Sequence, residues 1–235
     1  MGNSEDFNLN VVIPMAGSGI RFSSAGYKLP KPLIEVKGVP MIKAVIDNLN
    51  VKANFYFIVQ KQHREKYKLD SILDGTLIDV DSTTEGAACS VLLASKFIDN
   101  NTPLIIANSD QLVSWSSSEF LSKSAKDGSI VVFKDNDPKW SYARITNNLV
   151  AEVAEKKVIS NNATSGIYYW SKGKDFVYYS NQMISKNIRV NNEFYVCPVY
   201  NEAIQDGLEF NTYTVDNMYG IGTPEDLVKY LNKNV

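Results

Sequence analysis

The chain has 235 residues, 44% of them hydrophobic and 11% aromatic, enough apolar material for a substantial core and too much for wholesale disorder. Its 24 basic and 26 acidic residues leave a formal charge of -2, which gives no general attraction for nucleic acid or an acidic membrane. Two cysteines, Cys89 and Cys197, form no CxxC pair and have no histidine nearby, which argues against a disulfide scaffold or a structural zinc site. The first ten residues carry acids and no apolar run, and no stretch approaches the roughly 20 apolar residues of a membrane span. The expectation is a soluble cytoplasmic protein, monomeric or homodimeric.

In chain order, the first element is Val11-Val12-Ile13-Pro14-Met15, an apolar run of strand length that ends in Ala16-Gly17-Ser18-Gly19. Comparable runs occupy residues 55–59, 76–80, 103–107 and 129–133. They are near-continuous rather than alternating, as expected of parallel strands covered on both faces. Helical stretches lie between them at 41–49, 64–69, 87–97 and 118–125. Strands alternating with helices from residue 11 to residue 133 predict an α/β sheet with right-handed crossovers. After Lys134 the pattern changes. Asp135-Asn136-Asp137-Pro138 is a turn cluster, and Asn147-Asn148 reads as a hairpin turn between strands at 142–145 and 149–153. A polar loop at 156–162, a strand at 164–170 and a helix at 174–184 follow. Near the end, Thr223 caps a helix with Pro224 at its first position and Asp226 in its first turn. With no long linker and no repeat, residues 1–235 read as a single domain.

The glycines after the first strand permit a tight turn that brings backbone N–H groups against an anion. Arg21 and Lys31 supply the charges a triphosphate requires. A lone GxG is weak, and neither the dinucleotide fingerprint nor a P-loop is present. The order Gly17, Gly19, Arg21, then Pro30-Lys31-Pro32-Leu33, resembles the signature of the sugar-phosphate nucleotidyltransferases. Further matches are Glu85-Gly86-Ala87, Asn108-Ser109-Asp110, Glu155-Lys156-Lys157 with Ser165-Gly166-Ile167-Tyr168, and Ile221-Gly222-Thr223-Pro224-Glu225-Asp226.

That resemblance implies a Rossmann-like, mixed but mostly parallel sheet of glycosyltransferase-A-like type with helices on both faces. It implies a nucleotide-binding half at about 8–134 and an acceptor-binding, closing half at about 135–235. Met15, Ala16, Gly17, Ser18, Gly19, Asp81, Glu85 and Gly86 would hold the nucleotide, with Arg21, Lys31 and Asp110 catalytic. Glu155, Lys156, Ser165 and Gly166 would hold the acceptor. Mg²⁺ would sit on Asp110, at the end of the 103–107 strand; read without the resemblance, Asp110 is equally a turn residue. The family's second metal carboxylate falls on Gly220, so the pattern is broken there, and Asp216 is the candidate replacement.

As a whole the chain most resembles the CTP:phosphoglutamine cytidylyltransferases of capsule biosynthesis. The implied reaction transfers CMP from CTP to a small phosphorylated acceptor and releases pyrophosphate. Asp81 would accept from the cytosine amino group, and the asparagines of Ser160-Asn161-Asn162 and Asn191-Asn192-Glu193 would meet an amide acceptor. Phosphocholine cytidylyltransferases and sugar-1-phosphate uridylyl- or thymidylyltransferases are alternatives. So are a glycosyltransferase, which would want a second acid in Asn108-Ser109-Asp110, and a non-catalytic nucleotide-binding protein. His63 reads as a surface helix start, and Cys89 has no base to activate it.

Overall fold

The structure is a computed structural model and describes residues 7–233. Residues 1–6, on which part of the N-terminal reading rests, lie outside that span. The strands are β1 (Asn10–Pro14), β2 (Glu35–Val36), β3 (Val39–Pro40), β4 (Asn54–Gln60), β5 (Thr76–Val80), β6 (Leu104–Ala107) and β7 (Gln111–Val113). They continue with β8 (Gly128–Lys134), β9 (Tyr142–Thr146), β10 (Leu149–Ala154), β11 (Asn162–Trp170), β12 (Phe210–Thr214) and β13 (Met218–Gly220). The helices are α1 (Ile20–Ser24), α2 (Met41–Leu49), α3 (Lys61–Tyr67), α4 (Ala87–Leu92) and α5 (Ser95–Ile98). After them come α6 (Ser117–Lys123), α7 (Gly173–Ser185), α8 (Val199–Gln205) and α9 (Pro224–Leu231).

Nine strands form one mixed sheet in the order β10-β9-β11-β6-β1-β4-β5, with β8 paired to β11 and β12. The strands β6, β1, β4 and β5 are mutually parallel. Their near-continuous apolar runs follow from cover on both faces: Val11 and Ile13 join one buried cluster, Val12 the other, and all three are fully buried. The mixed α/β architecture matches the sequence expectation.

The second half departs from the parallel pattern. The run at 129–133 belongs to β8, which is antiparallel to β11 and parallel only to β12. The sequence gives no hint of β12, because its Asn211, Thr212 and Thr214 interrupt any apolar run. The expected helix at 87–97 is broken into α4 and α5 around Leu93 and Ala94. The expected hairpin is present, with Asn147 and Asn148 both at positive φ between β9 and β10.

One irregularity positions the site. In β11 the pairing with β8 runs through Thr164↔Val132 and resumes at Tyr168↔Ile130, so Ser165, Gly166 and Ile167 form a bulge. Gly166 there has φ 75, and a Cβ on it would strike the side chains of Asn108 and Gln111. Its carbonyl accepts from the Asn108 amide at 2.9 Å. The bulge therefore clamps the segment that leaves β6, and that segment carries Asp110.

Candidate active site

Three cavities open at the carboxyl ends of β1 and β6, where ligands bind in open α/β sheets. The first, of about 450 Å³, is lined by residues 14–18, Lys31, Thr83, Thr84, Gly86, Ala87, Ser90, residues 108–110 and Glu193. The second, of about 200 Å³, has Glu155, Lys156, Thr164, Gly166, Tyr168 and Tyr195 in its walls. The third, of about 350 Å³, is lined by Arg21, Gln111, Lys139, Trp140, Lys156 and Asp226 among others. Asp110 lines all three. It is the point at which they meet.

The exit of β1 supplies the first wall. Met15, Ala16, Gly17 and Ser18 face the first cavity, while Gly19, at φ 61, is the residue from which α1 starts. Gln60 at the end of β4 steadies this loop, its side-chain N–H donating to the Ala16 carbonyl at 2.8 Å. The Pro30-Lys31-Pro32-Leu33 segment folds as a 3-10 turn that buries Pro32 and Leu33 and leaves Lys31 in the cavity. Lys31 Nζ is 2.8 Å from Asp110 Oδ2, both side chains being about one-fifth exposed (23% and 21%). Arg21, exposed on α1, lines the third cavity together with Asp110. The two predicted cations therefore line different cavities that share Asp110.

The opposite wall is the start of α4. Gly86 has φ 135, and a Cβ there would run into the Phe194 backbone, so only glycine lets residues 193–195 lie across it. Phe194 N–H donates to the Glu85 carbonyl at 2.8 Å, and Ala88 N–H donates to the Phe194 carbonyl at 3.0 Å. Glu85 itself is exposed and ion-paired with Arg189. Asp81 is exposed and lies outside the three cavity linings; Thr83 and Thr84 stand there instead. The argument for cytosine built on Asp81 thereby loses its residue.

In the second cavity the Glu155 carboxylate accepts a hydrogen bond from the Ser141 hydroxyl. Burial pushes its pKa above the ordinary carboxylate value, the Ser141 bond and Lys156 opposing that shift. Lys156 has φ 53, and its Nζ donates to the Tyr195 hydroxyl at 2.5 Å while sitting 4.6 Å from that ring's centre. Gly166 lines this cavity; Ser165, one residue earlier and fully buried, does not.

The asparagines expected to meet an amide acceptor are used in the fold. Asn162 is buried, accepting from Lys134 Nζ at 2.6 Å and donating to the Ala143 carbonyl at 3.3 Å. Asn191 (φ 46) and Asn192 (φ 68) form a tight turn, whose positive φ asparagine tolerates.

Asp216 is exposed and lines none of the three cavities. Asp226, in the first turn of α9, does line the third, and its Oδ2 is 4.0 Å from where a Cβ on Gly220 would be. Sequence reasoning passed over Asp226 because its place after Thr223-Pro224 reads fully as helix capping, and its amide does donate to Thr223 Oγ1 at 3.1 Å. It also passed over Lys139 and Tyr195. The turn cluster before Lys139 was the available signal for the first.

Among the described residues no group of three or more His, Cys, Asp or Glu side chains could cage a metal. A hard cation that keeps waters and takes substrate phosphate oxygens needs only one or two protein carboxylates. Asp110, open to all three cavities, fits that requirement for Mg²⁺. His63 lies on α3, outside these cavities, with its pKa lowered by burial. Among the described residues no helix is long and apolar enough to cross a membrane.

The family model "Nucleotidyl transferase" matches residues 10–233. A mannose-1-phosphate guanyltransferase of Debaryomyces hansenii is 28% identical over 175 residues, 67% of this chain and 48% of that protein. The chain thus spans about half the length of the curated relatives it matches. Among solved structures, a nucleoside-diphosphate-sugar pyrophosphorylase from Vibrio cholerae RC9 superimposes with TM-score 0.82 at 22% identity, covering 95% of this chain and all of that one. A UDP-glucose pyrophosphorylase from Acinetobacter baumanii superimposes with TM-score 0.70 at 16% identity, covering 94% and 91%. At these identities the structural matches speak for the fold alone.

Proposed function

We propose a reaction for this chain from what its ancestry establishes: it belongs to the nucleotidyl transferase family, whose model it matches across residues 10–233. The reaction is transfer of a nucleoside monophosphate from UTP or GTP to a sugar 1-phosphate, with release of pyrophosphate. The expectation of CTP, phosphoglutamine and a capsule role is corrected. The matched curated relatives are mannose-1-phosphate guanyltransferases. Asp81, which argued for cytosine, lies outside the three cavity linings, and the asparagines that argued for an amide acceptor serve the fold.

The observation that carries the reading is Asp110 at the junction of a larger cavity beside the glycine loop and a smaller, polar one beside Glu155. The first suits a triphosphate, with backbone N–H groups of residues 16–18 and the Lys31 ammonium as donors. The second suits a polyol, because the Glu155 carboxylate, the Thr164 hydroxyl and the Gln111 amide can each meet a sugar hydroxyl. Lys139 and Lys156 place positive charge where the second and third cavities adjoin, on the acceptor-phosphate side.

An acceptor phosphate oxygen would then attack the α-phosphorus in line, the P–O bond to the β-phosphate breaking as pyrophosphate leaves. No general base is required, since a phosphate monoester is largely ionised near neutral pH. Mg²⁺, when bound at Asp110, supplies charge neutralisation at the α-phosphate. Lys31, Arg21 and Lys156 hold two polyanions together that would otherwise repel, and this positioning is where catalysis lies.

The test is pyrophosphate release from UTP, GTP, CTP, dTTP and ATP, each with mannose 1-phosphate, glucose 1-phosphate and phosphoglutamine. Release with a hexose 1-phosphate and UTP or GTP is the expected result. No release with any hexose 1-phosphate would overturn the acceptor assignment.

A further inference from the structure

The acceptor cavity carries two neighbours of opposite charge, Glu155 and Lys156, and the reaction above asks different things of each. The carboxylate is to meet sugar hydroxyls and the ammonium a phosphate. Adjacent opposite charges attract, and an ion pair between them would withdraw both from the ligand. That attraction is felt here: burial raises the Glu155 pKa, and the Ser141 bond and the Lys156 charge oppose the rise. The side chains nevertheless part. Glu155 accepts from the Ser141 hydroxyl, while Lys156 sends its ammonium to the hydroxyl of Tyr195, 39 residues along the chain, at 2.5 Å.

Tyr195 suits that task in two ways. Its place is fixed by the segment that carries it. Phe194 is bonded to Glu85 and Ala88 as described, and Val190 and Glu193 exchange backbone hydrogen bonds at 3.0 and 2.9 Å. Arg189 braces the same turn with its whole guanidinium. Its Nε donates to Asn187 Oδ1 at 2.7 Å, its Nη1 to the Asn192 carbonyl at 3.1 Å and its Nη2 to Glu85, and its Cζ lies 3.9 Å from the Phe194 ring centre. The second property is charge. Burial pushes the Tyr195 phenol above its ordinary pKa; Lys156 opposes that shift, and the nearby Glu193 carboxylate adds to it. The phenol is therefore neutral near pH 7, and accepts from Lys156 without forming the ion pair that a carboxylate would.

We infer that Tyr195 is a positioning residue, which holds the Lys156 ammonium off Glu155 and at the junction of the second and third cavities, where the acceptor phosphate is met. The phosphate and the sugar are then recognised by separate groups. A lysine left free would lose rotamer entropy each time the acceptor bound, and the tyrosine bond removes that cost beforehand. This rests on the sugar-1-phosphate reading above.

The experiment measures pyrophosphate release by the full chain with varied hexose 1-phosphate and, separately, varied UTP or GTP. It compares wild type, Tyr195→Phe, Lys156→Met and the double variant. Tyr195→Phe keeps the ring and its packing, and should raise the acceptor KM about tenfold, the size expected when a hydrogen bond to a charged group is lost. The nucleotide KM should stay within about twofold of wild type. In the double variant the tyrosine substitution should add nothing to the effect of Lys156→Met, because Tyr195 acts through the lysine. An unchanged acceptor KM in Tyr195→Phe, an equal rise in both KM values, or a further loss on top of Lys156→Met would each overturn the inference. Absence of release by wild type with every hexose 1-phosphate would instead overturn the sugar-1-phosphate reading on which it rests.

Discussion

In the half built on β1, β4, β5 and β6, most of the residues lining the first cavity come from short segments that directly follow parallel strands, residues 15–18 after β1, Thr83 and Thr84 after β5 and residues 108–110 after β6, with Glu193 brought in from a remote segment. In the half built on β8 to β11, they come from an antiparallel hairpin, a bulge and a remote crossing segment: Ser141 and Glu155 at adjoining ends of β9 and β10, Gly166 in β11, Tyr195 beyond α7. The first arrangement is local in sequence and is read as a motif. The second exists only when strands distant in the chain are paired. It follows that the nucleotide side depends on a few charged and glycine positions, whereas the acceptor side depends on register.

The largest effect should come from the Lys31–Asp110 pair, whose aspartate lies where the cavities of the two halves meet. Lys31→Ala should lower the rate of pyrophosphate release by roughly 100- to 1000-fold, comparable with removing one preorganised donor at a reacting oxyanion. The unfolding midpoint should barely move, because Lys31 lies on a ligand loop. A rate within a few-fold of wild type would break the assignment of this pair to the reaction.

Gly166→Ala should act on the register side. A Cβ there meets Asn108 and Gln111 and must adopt φ 75, so a loss of about 1–3 kcal/mol is expected in urea unfolding. The acceptor KM should rise more than the nucleotide KM. An equal rise in both would show that the bulge does not distinguish the halves. Thr223→Ala removes the side-chain acceptor for the Asp226 amide at the start of α9 and should cost about 1 kcal/mol. The same unfolding measurement checks it.

The smallest stability effect concerns Glu155, and its sign is informative. Burial raises its folded pKa above the unfolded value, so the folded state holds the proton more tightly. Stability from this group is therefore present below the unfolded pKa near 4.5 and is lost as pH rises through the folded pKa. Glu155→Gln should thus be a few tenths of a kcal/mol more stable than wild type at pH 7, with the gain vanishing by about pH 4. Turnover should fall in the same variant. A variant less stable than wild type at pH 7 would mean that Lys156 and Ser141 more than offset the burial.

The amino-acid sequence by itself determined the parallel half of the fold, because strands covered on both faces must be apolar along their whole length, as 11–15, 55–59 and 103–107 are. It also pointed to the glycine loop, Lys31 and Asp110, which the fold places in the lining of one cavity. Tertiary structure decided the rest. Whether an acid lines a cavity or faces solvent depends on what the fold lays beside it: Asp81 and Asp216 are left outside, while Asp226 and Glu193 are brought in. Asn191 and Asn192 looked like ligand partners because polarity is common to binding sites and turns, and only their backbone angles separate the two uses. Likewise β12 could not be read locally, because a half-polar strand is held by its partner β8 through main-chain bonds that carry no side-chain pattern.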